Sequence, residues 1–193
     1  MGNDYQLLDW RRYYEVEEEI GQISDPEERQ LQLALLERIE QAVTDFSEHR
    51  MEYAHACHLW ELEERGIRFR PVGKKRVSAQ WSRLFAAGVS AEQKKQVYYH
   101  QYRWHLFSFE VLPALKGDEA RAALNAQSRD RLLLFFQFGQ EAFSIENAAQ
   151  LRAEDLEMDY HMYQVDFYLF DPVARWTYVH THEEDCGPYF VQL

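Results

Sequence analysis

The spacing of apolar and polar residues divides the chain into a helical first third and a mixed remainder. From Pro26 onward, apolar side chains recur at Leu31, Leu35, Ile39, Ala42, Val43 and Phe46, then at Met51, Ala54, Leu59 and Leu62. Steps of three and four residues stack side chains on one face of a helix. Ser24-Asp25-Pro26-Glu27-Glu28 supplies the start: a capping side chain, an early proline and acids in the first turn. Gly66 supplies a C-terminal stop. A span over 26–65 is long for one globular helix, which leaves a break or a helical hairpin open. Upstream, Asp9 is placed to cap a first helix over 10–22.

Beyond Gly66 the pattern changes. Residues 67–72 (IRFRPV) alternate and predict a short strand or extended linker. Gly73-Lys74-Lys75-Arg76 reads as a basic turn, with Ser78 capping a helix that carries Trp81, Leu84 and Phe85. Ser90 and Gln93 stand at capping-box positions of another helix. Residues 117–127 predict a short helix with Ala120, Ala123 and Leu124 inward. Residues 131–138 (RLLLFFQF) read as a buried strand, and 142–156 as irregular to helical. Residues 163–170 alternate, with Val165, Phe167 and Leu169 on one face and Asp166, Tyr168 and Phe170 on the other. A hairpin loop over 171–175 leads to a partner strand over 176–183, and Gly187-Pro188 turns into a last strand over 189–191. The predicted architecture is α+β: an acidic helical N-terminal segment over 1–66, then a compact domain over 67–193 with an antiparallel sheet and packed helices.

Charge sharpens this division. The 193 residues carry 21 Lys and Arg against 33 Asp and Glu, a formal charge of −12. That balance opposes general binding to nucleic acid or anionic lipid, both of which reward positive charge. The charge is uneven: net −12 over 1–64, +9 over 65–103 and −9 over 104–193. The basic middle contains Trp81, Phe85, Tyr98, Tyr99, Tyr102 and Trp104, a mixture that single-strand binders use. Their helical spacing favours a core role, with the basic surface offered to the acidic N-terminal helices. No phosphate loop is present. No apolar run reaches the length of a membrane span, and the first residues lack a secretory pattern. Cys57 and Cys186 stand apart and outside any motif, which points to reduced thiols in a cytoplasmic protein.

The strongest chemical cluster is His180-Thr181-His182-Glu183-Glu184-Asp185. On a strand, His180 and His182 share a face, and a carboxylate could complete a metal site. Trp176 and Tyr178 share that same face, which favours histidines satisfied at a sheet rim. The metallo-hydrolase pattern H-x-H-x-D-H fails, because Glu184 and Asp185 stand where Asp and His are required. His105 is a candidate third member, within reach only through folding; His105 and Ser108 make no nucleophile pair by spacing. Glu52, His55, His58 and Glu61 lie three residues apart, like half of a di-iron carboxylate motif without its second half.

Several of these segments together resemble a known family. Trp81 with Phe85, Trp104-His105-Leu106-Phe107-Ser108, the run from Trp176 to Glu183, and Gly187-Pro188-Tyr189-Phe190 are similar to an uncharacterised bacterial domain of unknown function, number 4275. The resemblance covers 67–193. It implies a small cytoplasmic α+β protein and carries no activity with it.

The residues therefore lead to a non-catalytic protein-binding module, of the immunity or antitoxin kind. It would use exposed Tyr, Glu and Asp, with His105, His180, His182, Glu183, Glu184 and Asp185 as candidate contacts and no cofactor. The alternative is a metal-dependent hydrolase on His180, His182 and His105, with Glu183 or Asp185 as ligand or base. A homo-oligomer formed through the N-terminal helices is a further reading.

Overall fold

The computed structural model describes residues 9–157, 165–183 and 185–193. By its internal contacts the chain forms two units, Met1–Cys57 and His58–Leu193.

In the first unit, α1 (Trp10–Gly21) begins where Asp9 Oδ1 accepts the backbone N–H groups of Arg11 and Arg12 at 3.0 and 3.3 Å. These are donors that a helix start otherwise leaves unpaired. Asp25 does the same for α2 (Pro26–Glu64), accepting from Glu27 N at 2.9 Å. α2 runs unbroken for 39 residues. Tyr13 and Ile20 of α1 are buried, and the Tyr13 hydroxyl donates to Glu40 Oε2 at 2.8 Å, which joins the two helices. Leu31, Leu35, Ile39 and Phe46 remain exposed, although their spacing is that of a core face.

The second unit is built on one antiparallel sheet. Its strands are β1 (Arg68–Pro71), β2 (Leu115–Lys116), β3 (Arg131–Phe136), β4 (Ala142–Glu146), β5 (Phe167–Asp171), β6 (Trp176–His180) and β7 (Tyr189–Gln192). Their spatial order is β1-β4-β3-β5-β6-β7-β2. The β5–β6 hairpin closes at Asp171, whose Oδ1 accepts from Val173 N and Ala174 N at 2.7 and 2.9 Å. The turn before β7 places Gly187 at φ +104°, where an added Cβ would lie 3.1 Å from Thr181 Oγ1.

Helices cover both faces of this sheet, which explains why the central strands are apolar throughout. On one face α3 (Lys74–Phe85) sends in Val77, Trp81 and Phe85; α4 (Ala91–Gln96), capped by Ser90, follows it, and Trp104, Leu106 and Phe107 join the same core. They meet Phe135, Tyr168, Phe170 and Val179. Trp81 Nε1 donates to Thr177 Oγ1 at 2.8 Å, so the largest of these side chains is also hydrogen-bonded. On the other face α6 (Asp118–Ala126) and α7 (Ala153–Leu156) bury Ala120, Leu124, Ala153 and Leu156 over Leu132, Leu134, Leu169 and Trp176. Leu62, in the last turns of α2, and Ile67 belong to this second core.

Several sequence expectations change. Gly73 to Arg76 is the start of α3, with Gly73 as N-cap. Ser78 lies inside that helix, where its hydroxyl is 3.4 Å from the Lys75 carbonyl. The stretch over 142–156 contains a full strand, β4, between β1 and β3. The strand expected over 163–170 is observed from Phe167; residues 163 and 164 lie outside the described residues. Cys57 and Cys186 are free thiols. No described helix is long and apolar enough to cross a membrane.

Candidate functional site

The site forms where the loop before α5 (His105–Ser108), the residue ahead of β5 and the segment after β6 meet. Asp166 is buried at its centre. Its Oδ2 accepts from Trp104 Nε1 at 3.1 Å, and its Oδ1 accepts from the His182 backbone N–H at 2.8 Å and from His182 Nδ1 at 2.9 Å. The tryptophan and amide donors fix the carboxyl as an acceptor, so Nδ1 is the nitrogen of His182 that carries hydrogen. His182 Nε2 has Glu183 Oε1 at 3.9 Å.

This clamp explains why the two histidines of the H-x-H run separate. β6 ends at His180, and Asp166 draws His182 away from the strand path. His182 joins a set of rings: Tyr102 at 5.3 Å and Trp104 at 6.0 Å between centroids. His105 reaches the same set, 5.2 Å from Tyr102 and 4.4 Å from Trp104, and its Nδ1 lies 2.7 Å from the Val97 carbonyl. His180 instead stacks on Phe167 at 5.0 Å and an interplanar angle of 8°, with Nδ1 3.3 Å from the Val165 carbonyl. The expectation that His180 and His182 share one face is therefore corrected. Among the described residues no group of three His, Cys, Asp or Glu side chains could hold a metal ion, and the imagined His105–His180–His182 triad does not assemble.

Burial holds the His180 imidazole below its usual pKa, only partly offset by the Val165 carbonyl and the charges of Glu157 and Asp166. The unfolded chain thus takes up a proton more readily than the folded one as pH falls through about 6.5. Stability should decline from pH 7.5 to 5.5, and His180→Phe, which preserves the stack on Phe167, should flatten that decline. Thermal melts at the two pH values check this; an unchanged decline in the variant would exclude His180 as its source.

Beyond the clamp, the rings continue to the surface. Tyr102 meets Phe138 at 5.8 Å and His105 meets Phe109 at 5.2 Å. Phe138 is 60% exposed and Phe109 53%. One cation borders Phe138, and a second lies deeper. Lys74 Nζ donates to the Gln137, Phe138 and Gly139 carbonyls at 3.0, 3.2 and 2.7 Å. Arg103 Nη1 donates to Gln137 Oε1 at 3.1 Å, and its guanidinium lies 5.6 Å from the Phe135 ring centroid. Burial, and then the charge of Arg103, lower the pKa of Lys74.

The other candidates have different places. Glu183 and Asp185 are exposed, and Lys116 Nζ donates to the Asp185 carbonyl at 2.7 Å. Glu184 lies outside the described residues, and Glu52 and His55 outside the described side chains. His58 Nε2 lies 2.6 Å from the Asp155 carbonyl, which fits a structural role. Ser108 Oγ is buried without a hydrogen-bond partner among the described residues, and no hydroxyl or thiol among them bonds His182 Nε2. Asp166, Phe109 and Phe138 were missed from the sequence, and Tyr102 was noted only among the aromatics of the basic middle. The one usable signal was an acid on the same face as Tyr168 and Phe170 in an alternating apolar segment, where it needs donors to be buried.

These features define the second unit as an α+β domain with a carboxylate-clamped histidine behind a surface row of rings. The chain belongs to the family DUF4275, a domain of unknown function, whose model matches residues 56–190. No curated protein and no solved structure matches it.

Proposed function

We propose that this DUF4275 domain is a protein-binding module whose contact surface is the ring row Phe109, His105, Tyr102 and Phe138. The observation that carries the reading is the exposure of Phe109 and Phe138 at the two ends of a continuous ring series. Aromatic side chains bring large contact area at little entropic cost, and they dominate the energetics of protein interfaces. The row has charged neighbours of both signs, with Lys74 on the Phe138 carbonyl and Glu183 beside His182. An apolar centre with a polar rim is the anatomy of a protein interface. Anchoring of Trp104 and His182 on Asp166 keeps the rings oriented before a partner arrives, which lowers the ordering cost of binding.

The test is a pull-down from a lysate of the encoding organism with the wild-type chain and with Phe109→Ser/Phe138→Ser, followed by calorimetry of the purified pair. A partner that binds the wild type and loses at least about tenfold in affinity to the variant, roughly 1.4 kcal/mol, supports the surface. Partners whose binding is indifferent to both substitutions would sink it.

A further inference from the structure

A second surface lies in the first unit and is independent of the ring row. We propose that α2 pairs antiparallel with α2 of a second copy of this chain, through the row Leu35, Ile39, Ala42, Phe46, His49 and Tyr53.

The row has two properties that need explaining together. Its steps alternate four, three, four, three, four, the spacing that keeps one seam facing a partner helix. Yet its large apolar members are open to solvent, from 44% for Ile39 to 73% for Tyr53. Leu31, four residues before Leu35 and off this alternation, is exposed as well. The hairpin with α1 leaves it uncovered, because Tyr13 of α1 is bonded to Glu40, while the half-buried Leu33, Leu36 and Val43 lie on another face. Ordinary surface helices show single exposed apolar residues; a row this long marks a docking face.

The sizes along the row select the occupant. Set antiparallel about a two-fold axis level with position 44, two copies place Leu35 opposite Tyr53, Ile39 opposite His49 and Ala42 opposite Phe46. The axis repeats each pair, so one row satisfies both sides, as an isologous interface requires. The smallest member then faces the bulky phenylalanine on both sides of the axis, while Leu35 meets Tyr53 and Ile39 meets His49. A parallel pair would set Phe46 against Phe46 and Ala42 against Ala42, crowding one layer and hollowing the next. Antiparallel helices also oppose their dipoles. From Leu35 to Tyr53 the seam is about 27 Å long, close to three heptads.

Sedimentation equilibrium of the full chain should return twice the 23.2 kDa of one copy. Ile39→Glu/Phe46→Glu should weaken association at least a hundredfold, with unchanged helical circular dichroism because both positions are exposed. Phe109→Ser/Phe138→Ser should remain dimeric, which separates this proposal from the ring-row reading. Orientation is read with a spin label at Ala34→Cys, in a chain with Cys57→Ser and Cys186→Ser. The antiparallel register sets position 34 level with 54 of the other copy, an offset of about 30 Å at 1.5 Å per residue. A wild type that is monomeric at 100 µM (about the range of weak association), a glutamate variant that stays dimeric, or labels closer than about 20 Å would each overturn the proposal.

Discussion

Replacing Arg129 by leucine should lower the free energy of unfolding by about 2–4 kcal/mol, among the largest single-residue effects expected in the domain. Arg129 is 4% exposed. Its Nε donates to the Ala148 carbonyl at 3.1 Å, Nη1 to the Leu124 carbonyl and Nη2 to the Leu151 carbonyl. Leu124 lies in the last turn of α6, while Ala148 and Leu151 begin and follow the short 3-10 turn before α7. Leu124 O also accepts from Gln127 N and Ala148 O from Leu151 N, at 3.1 Å each; the guanidinium adds a charged donor to both and supplies the Leu151 carbonyl. Burial, and then the charge of Arg152, lower its pKa, while Asp155 opposes them. An arginine remains protonated through any such shift in the ordinary range. Leucine would fill the space, leave the Leu151 carbonyl without this donor and remove a charge-assisted bond from each of the other two. Lysine, a point donor on a different stem, should recover only part of the loss. Urea titration measures both. Arg131→Leu is the control, because Arg131 is 69% exposed at its side chain, 3.5 Å from Glu146, and exposed pairs contribute about 0–1 kcal/mol. An Arg129→Leu loss below about 1 kcal/mol would show that the three bonds are not what holds α6 and α7 to the sheet.

Elements set by neighbouring residues were legible in the sequence, and those set by distant pairing were not. Asp9 and the Ser90–Gln93 box reach only three residues along the chain, so their signatures are local. The run over 131–136 announced β3 because a strand covered on both faces must be apolar throughout. β4, by contrast, carries Ser144 and Glu146, and Glu146 is held by Arg70 of β1 at 2.7 Å. That ion pair hides an inner strand behind a polar sequence. β2 is two residues long and exists by pairing with β7. The row on α2 was visible as a helical repeat, but periodicity reports which residues share a face and not whether anything covers it. The site was the least legible part. The alternation that put His180 and His182 together held only while the strand lasted, and the group that ends it is Asp166, sixteen residues away in sequence.

That same carboxylate carries the second large expected effect. Asp166→Ala should cost about 3 kcal/mol, because Trp104 Nε1, the His182 amide and His182 Nδ1 lose a common acceptor inside the fold. Asp166→Asn should cost less in packing and still lose one set of bonds. Its amide group must point its own hydrogens either at Trp104 Nε1 or at the two donors of His182. Urea titration ranks the three chains, and nitrogen chemical shifts of His182 report its tautomer. The hydrogen should sit on Nδ1 in the wild type and distribute between the two nitrogens in the alanine variant. A wild-type tautomer in Asp166→Ala, with a stability loss under about 1 kcal/mol, would remove Asp166 from its place at the centre of the site. The consequence for binding follows from the geometry. Asp166 is buried and would touch no partner, yet it orients Trp104 and His182, against which Tyr102 packs, and through Tyr102 the exposed Phe138. A partner of the ring row should therefore lose affinity to Asp166→Asn mainly through faster dissociation, as expected when the rings of a docked surface are less firmly held.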